Sequence, residues 1–222
     1  MDSKKVDISE WDTKEILGLN GCKSISSIEI PNSVTSIGEY AFSECSSLSS
    51  IEIPDSVTSI DAFAFSKCSS LSSITIPDTV ISIGDSAFRE CSSLSSIIIP
   101  DSLKSIGDDT FLCCSSLKNI EIPDSLKSIG DSAFESCSSL KSIEIPDSVM
   151  RIGKEAFCYC KNLEYATILG ANTIIELGAF KLYNADTNTI TIHGYKNAKS
   201  YVTNENVSYI KYVNLCNEGI QR

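Results

Sequence analysis

The chain has 222 residues and carries 29 acidic against 18 basic side chains, which gives a formal net charge of -11. Because nucleic-acid phosphates need a basic surface, this balance argues against a nucleic-acid partner, and it gives no support for binding to an anionic membrane. The chain has no run of about 18 apolar residues that would span a bilayer, so we do not expect membrane insertion.

Residues 1–21 come before a regular pattern that begins at residue 22. Their sequence, MDSKKVDISEWDTKEILGLNG, lacks the apolar core of a secretory signal. Leu19 stands where the later pattern places a phenylalanine. Because terminal units of solenoids differ from internal ones, we predict that residues 1–21 form an N-terminal cap over the first open face of a stack. The apolar residues of this segment are Val6, Ile8, Trp11, Ile16, Leu17 and Leu19.

A unit of 23 residues repeats through residues 22–182. A fixed period of this length is typical of a solenoid in which each unit contacts only its neighbours. The pattern therefore predicts one elongated body, whose single units would leave their apolar residues exposed and would not fold alone. The cysteine of the unit recurs at Cys22, Cys45, Cys68, Cys91, Cys114, Cys137 and Cys160. Its phenylalanine recurs at Phe42, Phe65, Phe88, Phe111, Phe134, Phe157 and Phe180.

The middle of each unit predicts one β-strand followed by a turn. In the unit from Cys45 to Lys67, Ile51 and Ile53 alternate with Glu52, which is the period of a strand with one buried face. Pro54 follows and lacks an N–H group, so we expect the strand to end there. A strand without a partner in its own unit must find one in the next unit.

The end of each unit predicts a short helix. Ile83, Ala87, Phe88 and Cys91 fall on one face at helical spacing, and Gly84-Asp85 opens the segment. Parallel strands joined by such crossovers wind to the right. We therefore predict an α/β solenoid, a right-handed superhelix with a parallel sheet on one side and short helices on the other.

The last part of the chain departs from the pattern in steps. Residues 160–182 form a seventh unit, in which Leu169-Gly170 replaces the proline. Residues 183–222 are predicted to be a C-terminal cap. Within this cap the segment TITIHGY predicts a strand, Lys196 to Glu205 a helix, and Val207 to Val213 a further strand.

Seven of the ten cysteines hold one equivalent position per unit, so we expect them to form a column that points into the core. A free cysteine packs well as a small apolar residue. Strands about 4.8 Å apart bring neighbouring Cα atoms within disulfide range, but parallel side-chain directions make a bridge geometrically awkward. We predict reduced, structural thiols, which are compatible with a reducing compartment.

The string from Ile30 to Pro54, IPNSVTSIGEYAFSECSSLSSIEIP, resembles the BspA-like leucine-rich repeats found on surface proteins of bacteria and of some anaerobic protists. The likeness covers residues 22–182, where Leu, Ile, Ile-Pro, Val, Ile-Gly, Ala-Phe and Cys recur together at fixed offsets. The ending TIHGYKNAKSYVTNENVSYIKY is similar to the cap that often closes such arrays. Ordinary leucine-rich repeats have an asparagine ladder, which this chain lacks. The resemblance implies a curved solenoid with its parallel sheet on the concave side, and protein binding, often adhesion to host matrix proteins or other cells.

One outward strand position of each unit is the candidate protein-binding surface. The core requires nothing of these positions, so their identities are free to serve a protein ligand. The alternative is simple variation on a solvated face. Ile98 is the one apolar member of this column. The column comprises Glu29, Glu52, Thr75, Ile98, Glu121, Glu144 and Thr167.

Positive charge is gathered near the C-terminal half of the same column. Lys118 and Lys141 share one repeat position, and Lys104 and Lys127 share another, with Arg151 close by. Like charges stacked at strand spacing repel. The basic residues therefore either offset the neighbouring stacked glutamates or polarise a binding surface.

Three further groups are weighed as chemical sites. His193 is the only histidine, and it would have to meet one particular serine to form a catalytic triad. Cys113 and Cys158 lie outside the cysteine column and would bind zinc only if more ligands converged. A ladder of aspartates after the prolines has the oxygen ligands that Ca²⁺ takes, although an aspartate there more often caps its own turn. The aspartates are Asp55, Asp78, Asp101, Asp124 and Asp147.

These observations predict a non-enzymatic protein-binding module with no catalytic residues, metal or cofactor. The resemblance suggests an extracellular-matrix protein as the ligand. The alternative is a structural scaffold or self-assembly element inside the cell. The resemblance suggests the cell surface, whereas the absent signal and the unpaired cysteines suggest the cytoplasm, so the compartment and the oligomeric state stay open.

Overall fold

The computed structural model describes residues 4–7, 13–181, 190–194 and 210–214, and its regular structure consists of strands. One set of strands comes from the alternating segment of each unit. It comprises β1 (Lys4–Asp7), β3 (Ile25–Glu29), β5 (Ser50–Glu52), β7 (Ser73–Thr75), β9 (Ser96–Ile98), β11 (Asn119–Glu121), β13 (Ser142–Ile145), β15 (Tyr165–Ile168), β17 (Ile190–Gly194) and β18 (Ile210–Asn214). A second set has two residues per unit. It comprises β2 (Glu15–Ile16), β4 (Ser36–Ile37), β6 (Ser59–Ile60), β8 (Ser82–Ile83), β10 (Ser105–Ile106), β12 (Ser128–Ile129), β14 (Arg151–Ile152) and β16 (Ile174–Ile175).

The two sets form separate parallel sheets. The first sheet runs in the order β1-β3-β5-β7-β9-β11 and continues as β13-β15-β17-β18. The second runs in the order β2-β4-β6-β8 and continues as β10-β12-β14-β16. Each strand pairs with the equivalent strand of the next unit, so that Ile28 lies opposite Ile51 and Ile74 opposite Ile97. The predicted stack of units in register is confirmed as a parallel β-solenoid.

The first sheet extends beyond the regular units at both ends. At the C-terminal end β17 coincides with the predicted strand TITIHGY, and β18 overlaps the strand predicted for Val207 to Val213. The helix predicted for Lys196 to Glu205 lies outside the described residues. At the other end β1 pairs in parallel with β3. The caps proposed for residues 1–21 and 183–222 stay predictions.

One apolar cluster runs through the described units, and a continuous stack of phenylalanine rings lies in it. Each ring is at most 1% exposed, and adjacent ring centroids are 5.1 to 5.6 Å apart with planes inclined by 4 to 14°. Leu19 packs against the same cluster in the place of a phenylalanine. Its N–H donates to the Ala41 carbonyl, just as the Phe42 N–H donates to the Ala64 carbonyl one unit later. The stack comprises Phe42, Phe65, Phe88, Phe111, Phe134, Phe157 and Phe180.

The prediction of short helices is wrong. No helix occurs among the described residues, so these ranges also contain none that could cross a membrane. In the segment from Ile83 to Cys91, the N–H groups alternate between two kinds of partner. The Phe88 N–H donates at 3.0 Å to Thr110 of the next unit, whereas the Arg89 N–H donates at 3.0 Å to Ser86. Consecutive turns thus replace the regular i to i−4 bonding of a helix, although the side chains expected on its inward face are buried.

This turn segment requires left-handed backbone at two positions of each unit. In the third unit Ser86 has φ 58° and Glu90 has φ 59°, which costs a residue with a Cβ about 1 kcal/mol or more. The N–H groups of both residues donate to the next unit, which offsets that cost. Gly84 is needed for a different reason, because a Cβ there would collide with the backbone of Ala62 in the preceding unit.

Six of the seven cysteines of the column are buried as predicted, Cys22 is half-buried, and the buried thiols also supply hydrogen bonds. The Cys91 thiol donates at 3.1 Å to the Phe65 carbonyl 26 residues earlier in the chain, which also accepts the Cys68 N–H. The same thiol-to-carbonyl bond recurs at 3.1 to 3.3 Å in the neighbouring units. A buried carbonyl with two lone pairs thereby gains a second donor, which explains why a thiol suits this position better than a methyl group. The column thiols that donate are those of Cys45, Cys68, Cys91, Cys114, Cys137 and Cys160.

Burial makes these thiols weak acids. It raises the pKa of Cys45 to about 11 from an ordinary value near 9, and it raises the pKa values of Cys91, Cys114 and Cys137 well above the ordinary value. The folded chain therefore keeps these protons at a pH at which the unfolded chain loses them. Because the thiol pKa is raised in the folded state, the contribution of each buried thiol to stability is intact below pH 9. This contribution is lost as the pH rises above 9.

Substituting Phe111 with alanine is expected to lower the free energy of unfolding by about 3–5 kcal/mol, because it opens a cavity in the ring stack. Phe63 is a matched control, since it lies half-buried in the turn segment and stacks at 4.8 Å on Tyr40. Phe63→Ala should cost about 0.5–1.5 kcal/mol. Urea titration of both variants tests this, and equal losses would contradict the assignment of the ring stack to the core.

The free energy of unfolding should fall between about pH 9 and pH 11, by up to about 1.4 kcal/mol per pH unit for each buried thiol. Urea titration across that range measures the slope. Cys91→Ala should be less stable at neutral pH but should show a slope shallower by about one proton. A free energy that stays constant from about pH 8.5 to 10.5 would mean that the thiols ionise as easily in the fold as outside it.

Candidate functional site

The outward side of the first sheet carries a row of exposed side chains in register. Glu29 lies opposite Glu52, which lies opposite Thr75. Thr75 lies opposite Ile98, which lies opposite Glu121. Each of these side chains is exposed, because it alternates along its strand with an inward isoleucine. The structure therefore brings five of the predicted residues into one continuous row, which we call the outward row.

The remaining two predicted residues lie in the second part of the same sheet. Glu144 lies opposite Thr167, and Thr167 lies opposite His193. The ladder is interrupted between Glu121 and Glu144, since β11 and β13 belong to different sheet segments. Thr167 is half-buried, unlike the members of the outward row. The predicted column is thus divided into two pieces.

Ile98 is the most exposed large apolar side chain among the described residues, with 68% of its surface accessible. A depression opens beside it at the edge where the strands end in prolines. It is lined by Ile98 and the half-buried Pro123 together with four carboxylates. We call it the Ile98 depression, and its carboxylates are those of Asp78, Asp101, Glu121 and Asp124.

Four of the five aspartates that follow the prolines do not cap their turns. The turn itself is closed by the Val57 N–H, which donates to the Pro54 carbonyl at 3.0 Å. Other carboxylates support the fold, since Asp85 accepts the Asp108 N–H of the next unit at 2.9 Å. Within the described part of the chain, no hydrogen bond or ion pair engages four of the side chains after the prolines. These are Asp55, Asp78, Asp101 and Asp124.

The basic residues near the outward row do not neutralise it by direct contact. Lys118 and Lys141 are exposed and form no ion pair within the residues that the structure describes. Arg151 is engaged elsewhere, because it binds Asp131 at 2.6 Å and Glu176 at 2.7 Å. These two carboxylates, Glu176 above all, raise the pKa of Arg151.

The turn segments carry the other ion pairs. Arg89 binds Asp109 at 3.2 Å, and Lys67 binds Glu44 at 3.1 Å. The pKa of Asp109 is nevertheless raised, because its partial burial outweighs the effect of the Arg89 guanidinium. Both pairs are too exposed to contribute much to stability. They connect neighbouring units without forming a site for chemistry.

Cys113 and Cys158 are the described cysteines outside the column, and burial affects both thiols. Burial raises the pKa of Cys158 to about 12, and it also raises that of the half-buried Cys113. A zinc ligand has to be a thiolate, which burial of this kind disfavours. Over the described ranges, no group of three or more His, Cys, Asp or Glu side chains is placed to hold a metal ion.

The serines are largely engaged in supporting the stack. The Ser49 hydroxyl donates at 3.1 Å to the Ser26 carbonyl, and the Ser95 hydroxyl donates at 3.2 Å to that of Ser72. Such bonds recur from unit to unit and account for a polar residue at these positions. His193 lies in β17 beside Thr167, with its ring centroid 6.3 Å from that of Tyr165.

Sequence reasoning missed Tyr165 and His193 as members of the outward side. Tyr165 is 50% exposed and lies opposite Ser142. A signal for Tyr165 was present, because it interrupts a series of serines at equivalent positions such as Ser50 and Ser73. The position of His193 follows only once the register of β17 is known.

The family model for the BspA type leucine-rich repeat region matches the chain in six copies, over residues 19–138 and 81–209. A solved leucine-rich repeat protein of T. pallidum has 32% identity and a TM-score of 0.65, with 72% of this chain and 77% of that chain covered. A leucine-rich cell surface protein of Faecalibacterium prausnitzii has 31% identity and a TM-score of 0.54, and a leucine-rich repeat protein of Eubacterium ventriosum has 27% identity and a TM-score of 0.63.

The matches differ in how much of each protein they include. The alignment covers 66% of this chain and 52% of the Faecalibacterium chain, and 70% of this chain and 42% of the Eubacterium chain. None of the curated proteins compared with the chain matches it. Leucine-rich repeats are in general protein-interaction modules. The 23-residue period, the parallel stack and the family match agree that the chain belongs to the BspA-type leucine-rich repeat family.

Proposed function

We propose that the chain is a non-enzymatic protein-binding module whose ligand contacts the outward row, from Glu29 to Glu121, together with Glu144 and Thr167. The observation that carries the proposal is the register of the exposed side chains of the outward row, from Glu29 to Glu121, which the core does not use. A repetitive sheet face with exposed side chains is a large surface for contacts between proteins. Ile98 supplies an apolar contact in its middle, and buried apolar contacts usually dominate binding energy.

Support for a binding role also comes from what the polar residues do. Serine hydroxyls such as that of Ser49 donate to carbonyls of the preceding unit, so they serve the stack rather than a reaction. The buried thiols of the column donate in the same way. A binding module needs no further chemistry from these residues.

An adhesive role with an extracellular-matrix protein as ligand is the finer part of the proposal. The Faecalibacterium relative is a cell surface protein, which supports a similar location for this chain. The excess of acidic residues suits a soluble, exposed domain with electrostatically selective contacts.

The triple variant E52Q/I98S/E121Q should lose binding to an immobilised matrix protein that captures the wild-type chain, with fibronectin, laminin and collagen as the panel. Removal of one central apolar contact and two charges is expected to weaken capture by about tenfold or more. Biolayer interferometry measures the effect. Circular dichroism should show an unchanged fold, because the three side chains are exposed.

The variant E15Q/E39Q/I81S is a matched control. Like the triple variant, it removes two glutamate charges and one exposed isoleucine, since Ile81 is 65% exposed and Ile98 is 68% exposed. Its three positions, however, lie beside the second sheet. It should bind like the wild type. Equal weakening by both variants would place the site away from the outward row, and capture by no member of the panel would contradict the adhesive role. Light scattering across concentration tests the assembly alternative separately.

A further inference from the structure

The Ile98 depression combines an apolar surface with a rim of one charge sign. The exposed Ile98 and the half-buried Pro123 supply the apolar part. Four carboxylates surround them, and no lysine, arginine or histidine contributes to the lining. A second depression of similar composition lies toward the N-terminal end, where it is lined by Glu29, Glu52 and Asp55. The acidic, apolar character is therefore repeated along the edge of the first sheet.

The carboxylates of the Ile98 depression are not accounted for by the fold. Asp78, Asp101, Glu121 and Asp124 make no hydrogen bond or ion pair within the described residues. The turns after the prolines are closed by backbone hydrogen bonds. In one of them the Leu103 N–H donates to the Pro100 carbonyl at 3.1 Å. Stacked like charges repel one another. A cation at this rim would relieve that repulsion.

We propose that the Ile98 depression binds a lysine- or arginine-bearing segment of the partner protein, so that this inference rests on the function proposed above and names its ligand class. Long basic side chains have an aliphatic stem and a charged end. The stem packs on Ile98 and the half-buried Pro123, and the charged end lies among Asp101, Glu121 and Asp124. Both parts of the depression are then used, which a purely apolar or an acidic partner does not achieve.

The test uses the full chain and a short fluorescein-labelled peptide of alternating lysine and threonine, with a glutamate–threonine peptide as the probe of opposite charge. Fluorescence anisotropy at low salt should show binding of the basic peptide only, and added salt should weaken it. E121Q/D124N should weaken binding by about fivefold, whereas E15Q/E39Q, which removes equal charge away from the depression, should change it by less than about twofold. Ile98→Ser should weaken binding without any change of charge, and Ile81→Ser should not.

Equal weakening by the two charge variants would show attraction to the net charge of the chain and would overturn the proposal. Binding of the acidic peptide, or of neither peptide, would overturn it as well. The matrix-protein experiment separates these failures from that of the proposed function. If E52Q/I98S/E121Q loses matrix capture while the basic peptide does not bind, the outward row binds a protein of different chemistry, and only the present inference fails.

Discussion

A backbone N–H group in this molecule often finds its carbonyl partner in a neighbouring unit rather than in its own. The strands of both sheets pair across units, and the turn segments do so at alternate N–H groups. A buried N–H without a partner costs about 1–3 kcal/mol, so a unit without a neighbour would leave several such costs unmet. Stacking in register is therefore a requirement of the backbone before any side chain is considered.

The side chains extend the same dependence. Phenylalanine rings stack on rings one unit away, cysteine thiols donate to phenylalanine carbonyls 26 residues earlier in the chain, and serine hydroxyls donate to carbonyls of the preceding unit. These roles explain the composition, with its many cysteines and serines, without catalysis or metal binding. They also leave the outward side chains of the first sheet unconstrained by the core. That freedom is the physical reason to look for function on this side of the molecule.

Most of the fold could be predicted from the sequence because the same residues recur every 23 positions. The inward isoleucines, the phenylalanines and the cysteine column could be predicted because each recurs at one fixed offset. The helix predicted around Ala87 and Phe88 was wrong because paired inward residues followed by Cys91 fit a helical face and a series of turns equally well. What decides between them is left-handed backbone at Ser86 and Glu90, which no residue type there signals. The outward row was predictable from strand alternation, whereas the Ile98 depression depends on how turns of adjacent units sit together.

Native-state hydrogen exchange tests most directly whether the units are interdependent. The N–H groups of Phe65, Phe88, Phe111 and Phe134 all donate to the next unit, at 2.7 to 3.0 Å. Because none of these bonds can open without separating neighbouring units, their exchange should report one common free energy of opening, close to that of global unfolding. Exchange of one of these groups at a much lower free energy, while its neighbours remain protected, would show that a unit opens by itself and would contradict this account.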